Sequence, residues 1–242
     1  MNRNVVVGIG VAALVVGGAA VALWPDEPDP PSPAVSGPVD ADHSLDVVEH
    51  GWTILEEAGS ALSLAVVVAN PSDLIARTTI VEMTPVDVDG DPVTEPVDIV
   101  VDTVPAQARM AGAVVIPSGH VGDVVDVTVK VGATAQWWSD AGDLAPKEEL
   151  ALSGPVDFRD TYDGLSNLEF TLTREQDRTW VDYDAVAVFR DGDGQVVGGC
   201  KHPFNIVGNR ALTRILDCPV PEVADRDQTE VFADVVADSQ GE

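Results

Sequence analysis

The sequence predicts an all-β protein: two tandem β-sandwiches carried behind an apolar N-terminal segment and a Pro/Asp-rich stalk. Three observations lead there. The C-terminal two thirds of the chain read the same way twice, at an offset of about 104 residues. One copy runs Ile54…Leu64-Ala65-Val66…Asp87-Val88-Asp89-Gly90…Val104-Pro105-Ala106-Gln107, the other Phe158…Leu168-Glu169-Phe170…Asp191-Gly192-Asp193-Gly194…Val207-Gly208-Asn209-Arg210. Apolar residues alternate with small or polar ones in short runs between turn clusters, which is strand rather than helix periodicity. Ahead of both copies, Val5 to Leu23 forms an unbroken uncharged run.

That run lies within a leader of residues 1–24, and its nineteen residues rise roughly 28 Å as a helix, close to the hydrocarbon thickness of a bilayer. Arg3 precedes it, Asp26, Glu27 and Asp29 follow it, and Trp24 stands at the expected interface. The positive-inside rule then leaves the N-terminus in the cytoplasm and places the rest outside. A signal anchor through residues 5–23 is the first reading. A cleaved signal peptide is the second, because Ala20-Val21-Ala22 has the small-x-small form of a cleavage site. Residues 25–44 follow with Pro25, Pro28, Pro30, Pro31, Pro33 and Pro38, a composition that cannot bury apolar area and reads as a disordered, semi-rigid stalk.

The first sandwich is expected over residues 45–135. Trp52 and Ile54, then Leu62, Leu64, Val66 and Val68, have strand spacing, and Asn70-Pro71-Ser72-Asp73 is a turn cluster. Thr78 to Met83 is β-branched, and Asp89-Gly90 suits a tight hairpin. Val97 to Val104, Met110 to Ile116, and Val125, Val127, Val129 and Val131 complete it. A linker is expected over 136–153, where Ala141 to Leu152 carries the only helical potential. The second sandwich, over 154–240, repeats the order with Phe158, Leu168 to Leu172, Val181 to Phe189, Gln195 to Val197, Leu212 to Leu216 and Val231 to Val236. About seven short strands per copy, with turns roughly every ten residues, suggest immunoglobulin-like sandwiches.

The order strand, Asn-Pro-Ser-Asp turn, strand, Asp-x-Asp-Gly hairpin, strand, Val104-Pro105-Ala106-Gln107 resembles the FxLYD-type surface modules of bacteria and archaea. The resemblance covers Trp52 to Val115 and Phe158 to Leu216; in the second copy Gly208-Asn209 replaces the Pro-containing turn. It implies immunoglobulin-like sandwiches, often tandem and membrane-anchored, without known catalysis. It carries over no functional residues.

Charge narrows the partners. Forty-one acidic residues against thirteen basic ones give a net charge of −28, which repels nucleic acid and anionic lipid head groups. Salt adaptation and attraction of a cationic ligand both remain open as the meaning of that acidity. Export would put Cys200 and Cys218 in an oxidising compartment, where a disulfide between them is expected to stabilise by roughly 3 kcal/mol.

The remaining candidates are binding features. Asp87, Asp89 and Asp91, and Asp191 with Asp193, alternate as calcium-loop carboxylates do, but lack the Gly and Glu of a helix-loop-helix calcium site. They read as solvated turns or weak divalent-cation sites. Trp137 and Trp138 are either a stacking platform for sugar rings or packing at the domain junction. Trp52 and Trp180 read as core. His43, His50, His120 and His202 show no ligand spacing, and no nucleophile elbow or phosphate loop is present. No metal, cofactor or catalytic residue is expected. The function expected is a non-catalytic, membrane-anchored binding or assembly module of the cell envelope, contacting another envelope protein. The alternatives are a polysaccharide- or divalent-cation-binding surface module and, behind it, a secreted hydrolase using a carboxylate pair.

Overall fold

The computed structural model describes residues 43–56, 61–117, 123–139, 150–160, 166–174, 181–206 and 212–235. The leader, residues 25–42 of the stalk, His120, Trp180 and residues 140–149 of the expected linker lie outside them. The described residues are all-β, with no α-helix among them. The first half holds β1 (Asp46–Leu55), β2 (Ala61–Ala69), β3 (Leu74–Val86), β4 (Val97–Val104), β5 (Arg109–Pro117) and β6 (Asp126–Ser139). The second holds β7 (Leu150–Asp160), β8 (Ser166–Arg174), β9 (Val181–Arg190), β10 (Val196–Ile206), β11 (Leu212–Cys218) and β12 (Asp225–Val235).

The strands pair antiparallel into four three-stranded sheets: β1-β2-β5 and β4-β3-β6, then β7-β8-β11 and β10-β9-β12. Every pairing in the second half is that of the first half with each strand moved six places along the chain. The repeat read in the residues is therefore a repeat of architecture. Six strands are described in each half rather than about seven. Strand also reaches into the expected linker, since β6 runs on to Ser139 and β7 begins at Leu150. Leu150 to Leu152, read as part of a segment with helical potential, pair with Leu172 to Arg174 of β8 instead. β10 reaches eleven residues where the sequence marked only Gln195 to Val197, because Gly198, Gly199 and Pro203 mask its alternation.

Each half closes its own core. Leu62, Leu64, Val66 and Val68 of β2 meet Val81 and Met83 of β3 and Ile99 and Val101 of β4. Leu168, Phe170 and Leu172 of β8 meet Tyr183, Ala185, Ala187 and Phe189 of β9. Cys200 of β10 and Cys218 of β11 form a disulfide with Cα atoms 6.0 Å apart, tying together the two sheets of the second half.

The two halves are not beads on a string. Residues from Val39 to Glu242 form one compact unit, and a third core joins sheet β1-β2-β5 to sheet β10-β9-β12. Its buried members are Ala65, Val67, Ala111, Ala113, Val186, Val188 and Val196. β2 is consequently buried on both faces, which the run of buried residues from Ala61 to Val68 records. Four sheets thus stack in layers, with β1-β2-β5 and β10-β9-β12 inside.

Candidate functional site

The acidic turns are built identically in both halves. Asp87 Oδ1 accepts the N–H groups of Asp89 and Asp91 at 2.9 and 3.0 Å, while Gly90 N–H donates to the Asp87 carbonyl at 3.0 Å. Asp191 Oδ1 accepts from Asp193 and Gln195 at 3.0 and 2.9 Å, and Gly194 N–H donates to the Asp191 carbonyl at 3.0 Å. Gly90 and Gly194 take φ of 83° and 82°, a left-handed conformation open to Gly at no steric cost. Asp87 and Asp191 therefore close the chain reversal, while Asp89, Asp91 and Asp193 stay exposed. Among the described residues no group of three or more His, Cys, Asp or Glu side chains is arranged to hold a metal ion.

Trp137 and Trp138 lie on β6, paired with Ala76 and Ile75 of β3. Trp137 is half-buried against the first core, its ring 5.5 Å from that of His43. The Trp138 side chain lies outside the described residues. Trp52 is half-buried against the same core. His202 is exposed and meets the Phe204 ring edge-on at 4.9 Å.

The densest concentration of buried polar chemistry is the seam between the halves. Its apolar centre is built from small side chains, which lets two sheets approach closely. A Cβ on Gly199 would stand 2.5 Å from the Ala187 carbonyl oxygen and 2.9 Å from the Cβ atoms of both Ala65 and Ala113. A Cβ on Gly51 would collide with the Val196 backbone. Ser63, fully buried, accepts the Gly199 N–H and donates to the Gly199 carbonyl, each at 2.9 Å. One hydroxyl thereby satisfies a backbone donor and acceptor that would otherwise face a dry interface.

Two charged clusters flank that centre. In the first, Glu49 of β1 bonds Arg109 of β5 at 2.5 Å and also Arg190 of β9. Arg190 in turn bonds Glu230 at 3.2 Å. Burial works against the Arg190 charge, but Glu49 and Glu230 outweigh it and hold the guanidinium above its ordinary range.

In the second, Asp234 of β12 is fully buried and points its carboxylate at β4. Its Oδ2 accepts the N–H of Asp102 at 2.6 Å, and its Oδ1 that of Thr103 at 2.7 Å. Thr78, opposite this stretch between the Arg77–Thr103 and Thr79–Val101 pairs, has a φ of 54° and marks an irregularity in the ladder there. Lys201 Nζ lies 2.6 Å from Asp184 and 3.6 Å from Asp102 and donates to the Val100 carbonyl at 3.3 Å. Burial alone would lower the Lys201 pKa; Asp184, then Asp234 and Asp102, raise it overall. Burial pushes the Asp234 carboxyl up to about 8, and the two backbone bonds and Lys201 oppose that rise without cancelling it.

None of these seam residues was among the sequence candidates. The available signals were local: Asp184 interrupting the apolar stretch of β9, Asp234 doing the same near the end of β12, and the small residues on the non-core face of β2. Alternation with Ser63, Ala65 and Val67 reads as an exposed face, whereas small side chains equally mark close sheet packing. The pairing of Asp234 with β4 spans more than 130 positions and has no local signature. Comparison with known proteins finds no protein-family model that matches the chain and no match among curated proteins.

Proposed function

We propose that this chain is a non-catalytic, membrane-anchored module of the cell envelope, made of two tandem immunoglobulin-like sandwiches of the FxLYD-like kind. The identical pairing order of the two halves supports the tandem reading. The bonded Cys200–Cys218 pair supports an oxidising compartment outside the cytoplasm. Among the described residues no helix is long and apolar enough to cross a membrane; the anchor is assigned to Val5–Leu23, which lies outside them.

The observation that carries the reading is the seam. Two sandwiches joined by a buried apolar face and two charged clusters make one stiff body, suited to holding loops and strand edges at a fixed distance from a membrane for contact with another envelope protein. The rival polysaccharide- or cation-binding role draws on groups that are otherwise engaged: Asp87 and Asp191 close their turns, and Trp137 packs on the first core. The test is protease treatment of intact cells expressing the full chain with a C-terminal tag, followed by alkaline extraction of membranes. Loss of the tag to external protease, with the untreated chain retained in extracted membranes, is expected. A tag protected in intact cells and lost only on lysis would overturn the extracytoplasmic placement.

A further inference from the structure

Three carboxylates and one ammonium meet where β12 crosses onto the edge of β4. Asp234 is buried between the halves, Asp102 contributes from β4, Asp184 from β9, and Lys201 from β10 is the cation. The part of β5 in this seam, Ala111 to Val115, carries no ionisable side chain, and β7 presents Phe158 across the second core. Lys201 is committed to Asp184 at 2.6 Å. Asp234 therefore faces two backbone N–H groups without a counter-ion of its own in contact. A carboxylate in that position is stabilised by two backbone dipoles and, without contact, by the Lys201 charge, while burial and the Asp102 charge nearby oppose it.

We propose that this cluster is a pH-sensitive clamp: a proton on the buried Asp234 carboxyl lets β12 pack against the edge of β4, and its loss at alkaline pH loosens the seam between the halves. The physical direction follows from linkage. Separating the halves returns Asp234 to water, where a carboxyl ionises in the ordinary acidic range. In the closed seam its pKa is raised to about 8. A raised acid stabilises closure fully below the ordinary carboxyl range, and that contribution fades as pH rises through the closed-state value. The clamp is tightest below the ordinary carboxyl range, loosens progressively above it and is weakest above about pH 8.

The test is hydrogen exchange on the full chain, corrected for the intrinsic pH dependence of amide exchange. The readout is protection of β4, which contains the Asp102 and Thr103 amides, relative to β8 in the far sheet. Between about pH 6 and about pH 9.5 that ratio is expected to fall at least about tenfold, and Asp234→Asn should remove the fall. A ratio that holds constant across the range, or a fall that persists unchanged in Asp234→Asn, would overturn the clamp. Asp184→Asn is the second variant. It frees Lys201 charge for Asp234 and should move the transition to lower pH; an unmoved transition would count equally against the proposal.

Discussion

Asn70 shows how one side chain can hold a loop cluster. It is 1 % exposed, and its Nδ2 donates to the carbonyls of Leu74, Val104 and Pro105 at 2.7, 3.1 and 3.1 Å. Its Oδ1 accepts from the Ser72 N–H and hydroxyl at 3.1 and 2.7 Å. The turn between β2 and β3 is thus bound to the turn between β4 and β5. The sequence marked both as turns from Asn70-Pro71-Ser72-Asp73 and Val104-Pro105-Ala106-Gln107, but could not show that they touch. Asn70→Ala leaves several buried groups unpaired and should lower stability by about 2–3 kcal/mol in urea unfolding. A loss under about 0.5 kcal/mol would mean that water replaces those bonds readily. Asp87 and Asp191 are poor guides to function for a similar reason. Their side chains satisfy backbone donors two and four residues ahead, as turn-forming Asp residues do.

At the level of elements, strand periodicity located most strands, because one face of each is apolar in the expected rhythm. It located β2 but read that strand's second face as exposed, and it marked only the start of β10, where Gly breaks the pattern. Both strands contribute to the seam, with β5 and β9. Gly199→Leu would force a side chain between Ala65, Ala113 and the Ala187 carbonyl. It should cost about 1–3 kcal/mol or more in thermal or urea unfolding. Gly192→Ala is the control: nothing lies within 4 Å of its added Cβ, and its φ is not left-handed. That variant should stay within about 0.5 kcal/mol of wild type. The disulfide joins β10 to β11 across 18 positions. Reducing it should lower stability by about 3 kcal/mol on the chain-entropy estimate, read as a shift of the urea midpoint with and without reductant. An unchanged midpoint would show that the core of the second half holds those strands without it.

For the whole molecule, comparison of the two copies explains why the stack of sheets stops at four layers. Where β2 turns Ala65 and Val67 into the seam, β8 carries Glu169 and Thr171 on the corresponding face. Where β9 turns Val186 and Val188 into the seam, β3 carries Glu82 and Thr84. The faces that meet are small and apolar; their duplicated counterparts are polar and suit solvent. A contact between unlike faces of two copies would otherwise extend from molecule to molecule. This broken symmetry was present in the sequence but gained meaning only once the pairing was known. Against 41 acidic residues there are 13 basic ones, and three of these, Lys201, Arg109 and Arg190, stand at the seam, where each pairs with carboxylates.

Calorimetry of the full chain is the most direct test of whether that seam makes the halves one body. A single transition is predicted, with the calorimetric enthalpy equal to the van 't Hoff enthalpy, because neither half keeps its seam-facing strands buried without the other. Two resolved transitions, or a calorimetric enthalpy near twice the van 't Hoff value, would show two independently folding sandwiches and contradict the account.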